Sequence, residues 1–423
     1  MVLQLQERTL KMSAKTGWDT TYEWKAVALL SLGFGLVGLD RFMILPMFPS
    51  IMQELNLSYG DLGLITGILS IAWGVSALFM GRLADRVGPR SVIIAAMVAF
   101  SILVGASGLA TGLVSLMILR AMMGLADGAY TPPSIIATLE ASRPSRHGLN
   151  LGIQQMMLPL FGLGLAPIIV TQLLHVIDWR WIFPLVSIPG LVIAFLLYRV
   201  LRNPSPELAA EHTATHDASS HKWTDVFQYR NVPLNMVGML CWLTCLIVTS
   251  ALLPNYLVDY LHLDLNQMGL VLSAIGIGAS LGTVLMPSLS DRIGRKPVML
   301  ISVLGALLFL IMLSNTGAEP GKLFFYLFGT HFFNFALITL TVGPLSAEAV
   351  PAKLMATATG LVIGVGEIFG GGVAPIIAGF VAEHYGIQYI LHLAIGGLAA
   401  GLFVALALKE TAPVRVGVPK PAA

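Results

Sequence analysis

The chain has 423 residues, of which 56% are hydrophobic and 11% charged, with a formal net charge of +2. An ordinary soluble domain carries roughly 25% charged residues and does not repeat stretches of about 20 nearly uncharged residues from end to end. These figures exclude a soluble globular protein, and nothing in them points to a nucleic-acid partner.

Residues 1–25 are polar and mixed in charge, with neither an apolar core of secretory length nor a small-residue cleavage site, so no signal peptide is expected. A hydrocarbon core of about 30 Å needs about 20 helical residues to cross it. On that basis spans are predicted at 26–52, 60–81, 91–111, 113–138, 149–174 and 179–200, and again at 231–258, 266–288, 298–315, 321–349, 356–382 and 387–409. Pro46, Pro49, Pro132, Pro133, Pro159 and Pro167 are expected to kink spans one, four and five, where freed backbone groups can face a cavity. Cys241 and Cys245 lie four apart in one apolar span, a poor geometry for a disulfide and too few ligands for a metal, so they read as small packing residues.

Residues 202–230 are charged and poor in bulky apolar side chains. They read as a linker between two six-helix bundles, 26–201 and 231–409, flanked by an N-terminal segment, 1–25, and a tail, 410–423. The fold class is therefore an all-α integral membrane protein of twelve helices. With the N-terminus inside, 20 of the 24 Lys and Arg residues fall on inner segments, and only Arg180 and Lys322 on outer ones. That asymmetry places both termini in the cytoplasm.

The halves also resemble each other. GRLADRVGPR (81–90) returns as PSLSDRIGRK (287–296), Glu140 returns as Glu348, and LAPII (165–169) returns as VAPII (373–377), all at nearly one offset. Internal repeats of this kind build transporters whose substrate site lies at midplane between them.

On these residues the chain resembles the major facilitator superfamily. Gly81, Leu83, Asp85, Arg86, Gly88 and Arg90 match the pattern of its loop between spans two and three, with Pro89 in place of the usual basic residue. Leu289, Asp291, Arg292, Gly294, Arg295 and Lys296 repeat it, although Pro287 stands where the first glycine is expected; Arg120 and Gly124 resemble the fourth-span motif. The resemblance implies that Asp85, Arg86, Arg90 and Glu140, with Asp291, Arg292, Arg295 and Glu348 in the second half, form a cytoplasmic latch that moves with the transport cycle and does not touch substrate. Read without it, the same charges are a solvated loop obeying the positive-inside rule.

Away from the span ends, five charges stand out: Asp40, Arg41, Arg120, Asp127 and Glu367. Each costs at least about 2.5 kcal/mol at a bilayer centre, which makes function the default reading. At about 1.5 Å per residue, Asp40 and Arg41 sit about 21 Å along span one, level with Asp127 in span four, and Arg120 lies roughly 10 Å further out. Adjacent residues point about 100° apart on a helix, so Asp40 and Arg41 each need a partner elsewhere. The economical expectation is a cluster in which they meet Arg120 and Asp127. Arginine forks suit a carboxylate, and an aspartate deprived of its arginine gains affinity for a proton, which together give a route to proton-coupled symport.

The pair Asp40–Arg41, with an arginine and an acid seven apart in span four, also resembles the anion:cation symporter branch. That resemblance implies anion contacts for Arg41 and Arg120 and proton linkage for Asp40 and Asp127. Asp127 departs from the branch's more frequent glutamate, and span seven holds no basic residue. The LDR start is shared with spinster-like lipid transporters, which leaves substrate size open.

Glu367, among the glycines of GVGEIFGGGVAP, is a second candidate proton carrier or the partner of a cationic substrate group. His331 either titrates, donates to substrate, or packs. Tyr130, Gln154, Asn255, Tyr256 and Asn334 are candidate substrate contacts, and Trp73 could line the path. The leading expectation is a monomeric, proton-coupled importer of a small organic anion in the inner membrane. The alternative is a proton-driven exporter of amphipathic, lipid-like or cationic compounds. Neither a cofactor, a metal nor an enzymatic activity is expected, because no nucleotide-binding loop, metal-ligand cluster or nucleophile triad is visible.

Overall fold

The computed structural model describes residues 19–202, 223–351, 354–412 and 415. The first 18 residues, the linker from 203 to 222, Lys353 and most of the tail lie outside the described residues. Among the described residues, twelve helices are long and apolar enough to cross a membrane. They are α1 (Thr20–Leu55), α2 (Tyr59–Val87), α3 (Pro89–Ser107), α4 (Leu113–Ala141), α5 (His147–Leu173), α6 (Trp179–Val200), α7 (Asn231–Tyr260), α8 (Leu265–Ile293), α9 (Arg295–Ser314), α10 (Pro320–Ala347), α11 (Thr357–Tyr385) and α12 (Ile387–Ala407).

Local chemistry sets the helix ends. Asp19 caps α1 by accepting from the Tyr22 amide, Asp178 caps α6, and Asp264 with Gln267 forms a capping box on α8. Gly88 and Gly294, equivalent positions of the repeat, both adopt positive φ (90° and 107°) in the turns that end α2 and α8. A side chain at either would be strained, which explains why glycine stands in both copies.

The prolines act unequally. In α1 the helix divides at Met43 into Thr20–Phe42 and Ile44–Leu55. By contrast, α4 runs unbroken through Pro132 and Pro133. α5 and α11 pass through π-helical turns at Leu160–Leu165 and Gly366–Val373, each followed by an Ala-Pro-Ile-Ile start to the next α-helical turn. Proline lacks an amide hydrogen, so the preceding carbonyls lose their α-helical donor and the wider turn accommodates the mismatch.

The halves touch along two seams. α2 lies against α11, where a Cβ on Gly67 would meet the carbonyl of Gly372. α5 lies against α8, where a Cβ on Gly276 would meet the backbone of Gly164. On the face remote from the termini these seams end in hydrogen bonds between halves. The Tyr59 hydroxyl donates to Asp259 (2.7 Å), Ser58 and the Gly60 amide donate to Glu383 (both 3.0 Å), and Gln172 donates to Asn266 (2.7 Å).

On the terminal face the polar bonds among the described residues stay within one half. Arg295 holds Asp291 (2.6 Å) and Glu348 (2.8 Å), and Thr411 donates to Glu348 (2.7 Å). Arg90 donates to the Tyr198 carbonyl (2.6 Å), while Arg292 is exposed. The side chains of Asp85 and Arg86 lie outside those described, and Glu140 ends the same bundle's α4. The molecule is thus closed on the remote face, with Asp291, Arg295 and Glu348 engaged inside their own bundle.

Glu410 fastens the tail by accepting the amides of Arg295, Lys296, Thr411 and Ala412. Partial burial raises its carboxyl pKa, but the backbone donors outweigh this and hold it below the ordinary glutamate value. A carboxylate lowered on folding stabilises above its unfolded pKa and loses that contribution as pH falls through the folded value. Limited proteolysis should therefore find the tail beyond Ala407 protected at neutral pH and released in acid. Glu410→Gln should release it at neutral pH as well. Gly276→Leu should push α8 off α5 and lower detergent-solubilised stability by about 1–3 kcal/mol, read as a drop in melting temperature.

Candidate functional site

The break in α1 builds the centre of the molecule. Pro46 cannot donate to a carbonyl four residues back, and the segment ending at Phe42 leaves carbonyls with partial negative charge at its terminus. Arg120 of α4 reaches these carbonyls, its Nη1 donating to those of Asp40 (3.1 Å) and Arg41 (3.4 Å). The side chain is 2% exposed, and its Nε and Nη2 have no protein partner.

Arg41 turns the other way. Its guanidinium meets Glu367 of α11 through Nη2–Oε2 at 2.8 Å and Nη1–Oε1 at 3.4 Å, and donates to the Ser70 hydroxyl of α2 at 3.0 Å. The guanidinium carbon also lies 4.5 Å from the centre of the Trp73 ring, a cation–π contact that further fixes the fork. The structure differs here from the expected four-charge cluster, in which Arg41 faced Arg120 and Asp127. The ion pair at the centre joins the two halves, because Glu367 projects from the π turn of α11 and the glycines beside it let α11 approach α2 and α7.

The aspartates complete the layer without direct pairing. Asp127 is fully buried and neither carboxylate oxygen has a hydrogen-bond partner. Asp40, 3% exposed, is within electrostatic reach of Asp127 and Arg120, and Asp127 is within reach of Arg41 as well. Between the two arginines lies a cavity of about 10 Å³, walled by Thr66, Ser70, Leu69 and Ile247 among others. It holds little more than a water, so a substrate needs the halves to part.

The remaining expected contacts lie around this layer. Tyr130 is fully buried, donates to the Leu30 carbonyl (3.1 Å), and packs edge-on against Phe100 inside the first bundle. Gln154 donates to Ser134 (3.0 Å) and keeps an unpartnered carbonyl oxygen. His331 shares a hydrogen bond with Thr249 (3.1 Å), its Nδ1 unpartnered, and Asn334 donates to the Trp242 carbonyl (3.1 Å). Asn255 donates to Asp259 (3.2 Å) at a vestibule of about 470 Å³ near the remote face, and Tyr256 stacks on Tyr260.

The sequence reading missed Ser70 and Thr66. With Trp73 they lie at helical spacing on one face of α2, and that face turns to Arg41. It also missed Glu23, wholly buried at the start of α1, which accepts from Asn150 (3.0 Å) and the Arg143 amide (3.2 Å). Its position before the apolar run, among other charges, gave no cue.

The Major Facilitator Superfamily profile matches residues 30–260 and 237–422. The sialic acid transporter NanX of Escherichia coli is 26% identical over 390 residues, covering 90% of this chain and 92% of its own length. The probable sulfoacetate transporter SauU of Cupriavidus necator is 24% identical over 399 residues, covering 89% and 91%. Among solved structures, a bacterial homolog of the human lysosomal transporter Spinster, inward-facing and occupied, superposes with a TM-score of 0.75 at 15% identity, covering 91% of this chain and 96% of its own. A D-xylose–proton symporter superposes with a TM-score of 0.74 at 19% identity, covering 92% and 99%. With its two six-helix repeats, its midplane charges and a profile match over nearly its whole length, the chain belongs to the Major Facilitator Superfamily, a membrane transporter and not an enzyme.

Proposed function

We propose that this transporter carries a small organic anion together with protons, by alternating access. The observation that carries the reading is Arg120: a guanidinium buried at midplane, with two donors unpartnered and a cavity beside it. A buried donor without a partner is costly, and an entering carboxylate or sulfonate satisfies both at once through charge-assisted bonds. Relatives named for sialic acid, sulfoacetate, hexuronate and 3-(3-hydroxyphenyl)propionate are all transporters of organic acids, which supports the same substrate class here.

Asp40 and Asp127 supply the protons in this reading. Neither is in a direct ion pair, and both lie in the layer the substrate enters. A substrate anion adds negative charge beside them and favours their neutral forms, so anion and proton are taken up together. In this reading anion and proton move together down an inward proton gradient, so transport runs as import, and the Lys and Arg distribution puts both termini in the cytoplasm. Tyr130 is better assigned to packing, since its hydroxyl is committed to Leu30.

Proteoliposomes with an inward proton gradient test this directly. Galacturonate or N-acetylneuraminate should accumulate, and a panel that shows none while lipophilic cations are expelled would favour the exporter instead. Arg120→Gln should lower uptake at least about 100-fold, since the loss of a buried charged ligand contact costs several kcal/mol. Asp127→Asn should retain anion exchange but lose accumulation against a gradient; equal loss of both would remove the aspartate from proton coupling. Tyr130→Phe should leave apparent substrate affinity within about twofold, as expected when only one neutral hydrogen bond of packing is deleted.

A further inference from the structure

The two arginines of the midplane layer are not in the same condition. Arg120 has unpartnered donors, whereas the fork of Arg41 is already filled by a carboxylate, that of Glu367, with Ser70 and the Trp73 ring completing its surroundings. The arginine and glutamate side chains are 7% and 10% exposed, so this is a buried pair at the edge of the cavity.

We propose that Glu367 is a specificity-determining residue, a resident carboxylate that fills the Arg41 anion seat and restricts the site to substrates with one acidic group, held at Arg120. This deepens the organic-anion reading and rests on it. The physical argument is one of available donors. Three acids, Asp40, Asp127 and Glu367, share the layer with two guanidiniums. A monoanion finds its partner at Arg120. The second charge of a dianion finds Arg41 occupied, and must either evict Glu367 into a buried position without a counter-ion or remain unpaired itself; both outcomes are costly.

The position of Glu367 is maintained by its own helix. A Cβ on Gly371 would lie 2.8 Å from Glu367 Oε2 and 3.2 Å from the Ser70 Cβ, so only glycine leaves that carboxylate in place. On the other side Gly372 brings α11 against Ile71 and Gly67 of α2, the helix that also supplies Ser70. A neutral glutamine at 367 preserves size and can still accept from Arg41, but it releases the seat to an incoming anion far more readily. The specificity thus depends on a charge that never needs to leave the protein.

Matched ligands test the proposal: galacturonate against galactarate, which share six carbons but carry one and two carboxylates, and isethionate against sulfoacetate. Affinities are measured by calorimetry on the purified, detergent-solubilised protein and by competition for uptake in proteoliposomes. The wild type should prefer the monoanion of at least one pair. Glu367→Gln should shift that ratio toward the dianion on the order of tenfold or more, chiefly by gaining dianion affinity. Glu367→Asp, which keeps the charge, should retain the wild-type preference.

Monoanion binding in the glutamine variant shows that the protein is folded, and an unchanged ratio there overturns the inference while leaving anion transport intact. So does a wild type that binds both members of each pair equally. If no carboxylate or sulfonate binds the wild type at all, the anion reading itself fails and this inference with it.

Discussion

The ion pair between Arg41 and Glu367 is the contact on which the arrangement of the centre depends. It lies inside two long apolar helices, joins helices from opposite halves, and is the one place among the described residues where the charges of this layer meet within 4 Å. Isolated, either charge would be too costly to keep in hydrocarbon, so pairing is what permits both. Because the partners belong to different halves, the pair ties α1 to α11 beside the small cavity at Arg120.

Around that pair, backbone features do much of the positioning. The break at Met43 leaves carbonyls for Arg120, and this contact consumes one of its nitrogens and leaves two without a protein partner. The π turns of α5 and α11, placed at equivalent points of the repeat, set helices where close approach and a change of direction are both needed. Glycines on the facing helices remove the side chains that would otherwise hold the halves apart. On the remote face, Asp259, Glu383 and Asn266 accept bonds that close the path, while Arg295 is engaged within its own half on the terminal face. Among the described residues, hydrogen bonds therefore bridge the halves on the remote face, while Arg295 pairs within one half on the terminal face.

The charged layer was partly legible. A charge inside an apolar run is conspicuous, so Asp40, Arg41, Arg120, Asp127 and Glu367 all stand out without a structure. Helical geometry also shows that Asp40 and Arg41 cannot serve each other. Which partner each chooses is a different kind of question. Depth along the axis can be counted from the sequence, but the azimuth of one helix relative to another cannot, and the π turn at Glu367 shifts it further. Arg41 therefore pairs across the interface with α11, where a depth argument alone would have kept it with α4. Ser70 and Thr66 were invisible for a simpler reason: small hydroxyl residues are common in membrane helices, where they bond to their own backbone.

What the sequence determined by itself was the solvent, the number of crossings, the repeat and the identity of the intramembrane charges, because each follows from composition and one-dimensional spacing. Tertiary structure alone decided the pairing of Arg41 with Glu367, the commitment of Tyr130 to Leu30, the unpartnered donors of Arg120 and the face on which the molecule is closed. Those properties depend on how helices are rotated and how closely their backbones approach. Both are set by contacts between residues hundreds of positions apart, such as Gly67 with Gly372, and no local pattern encodes them.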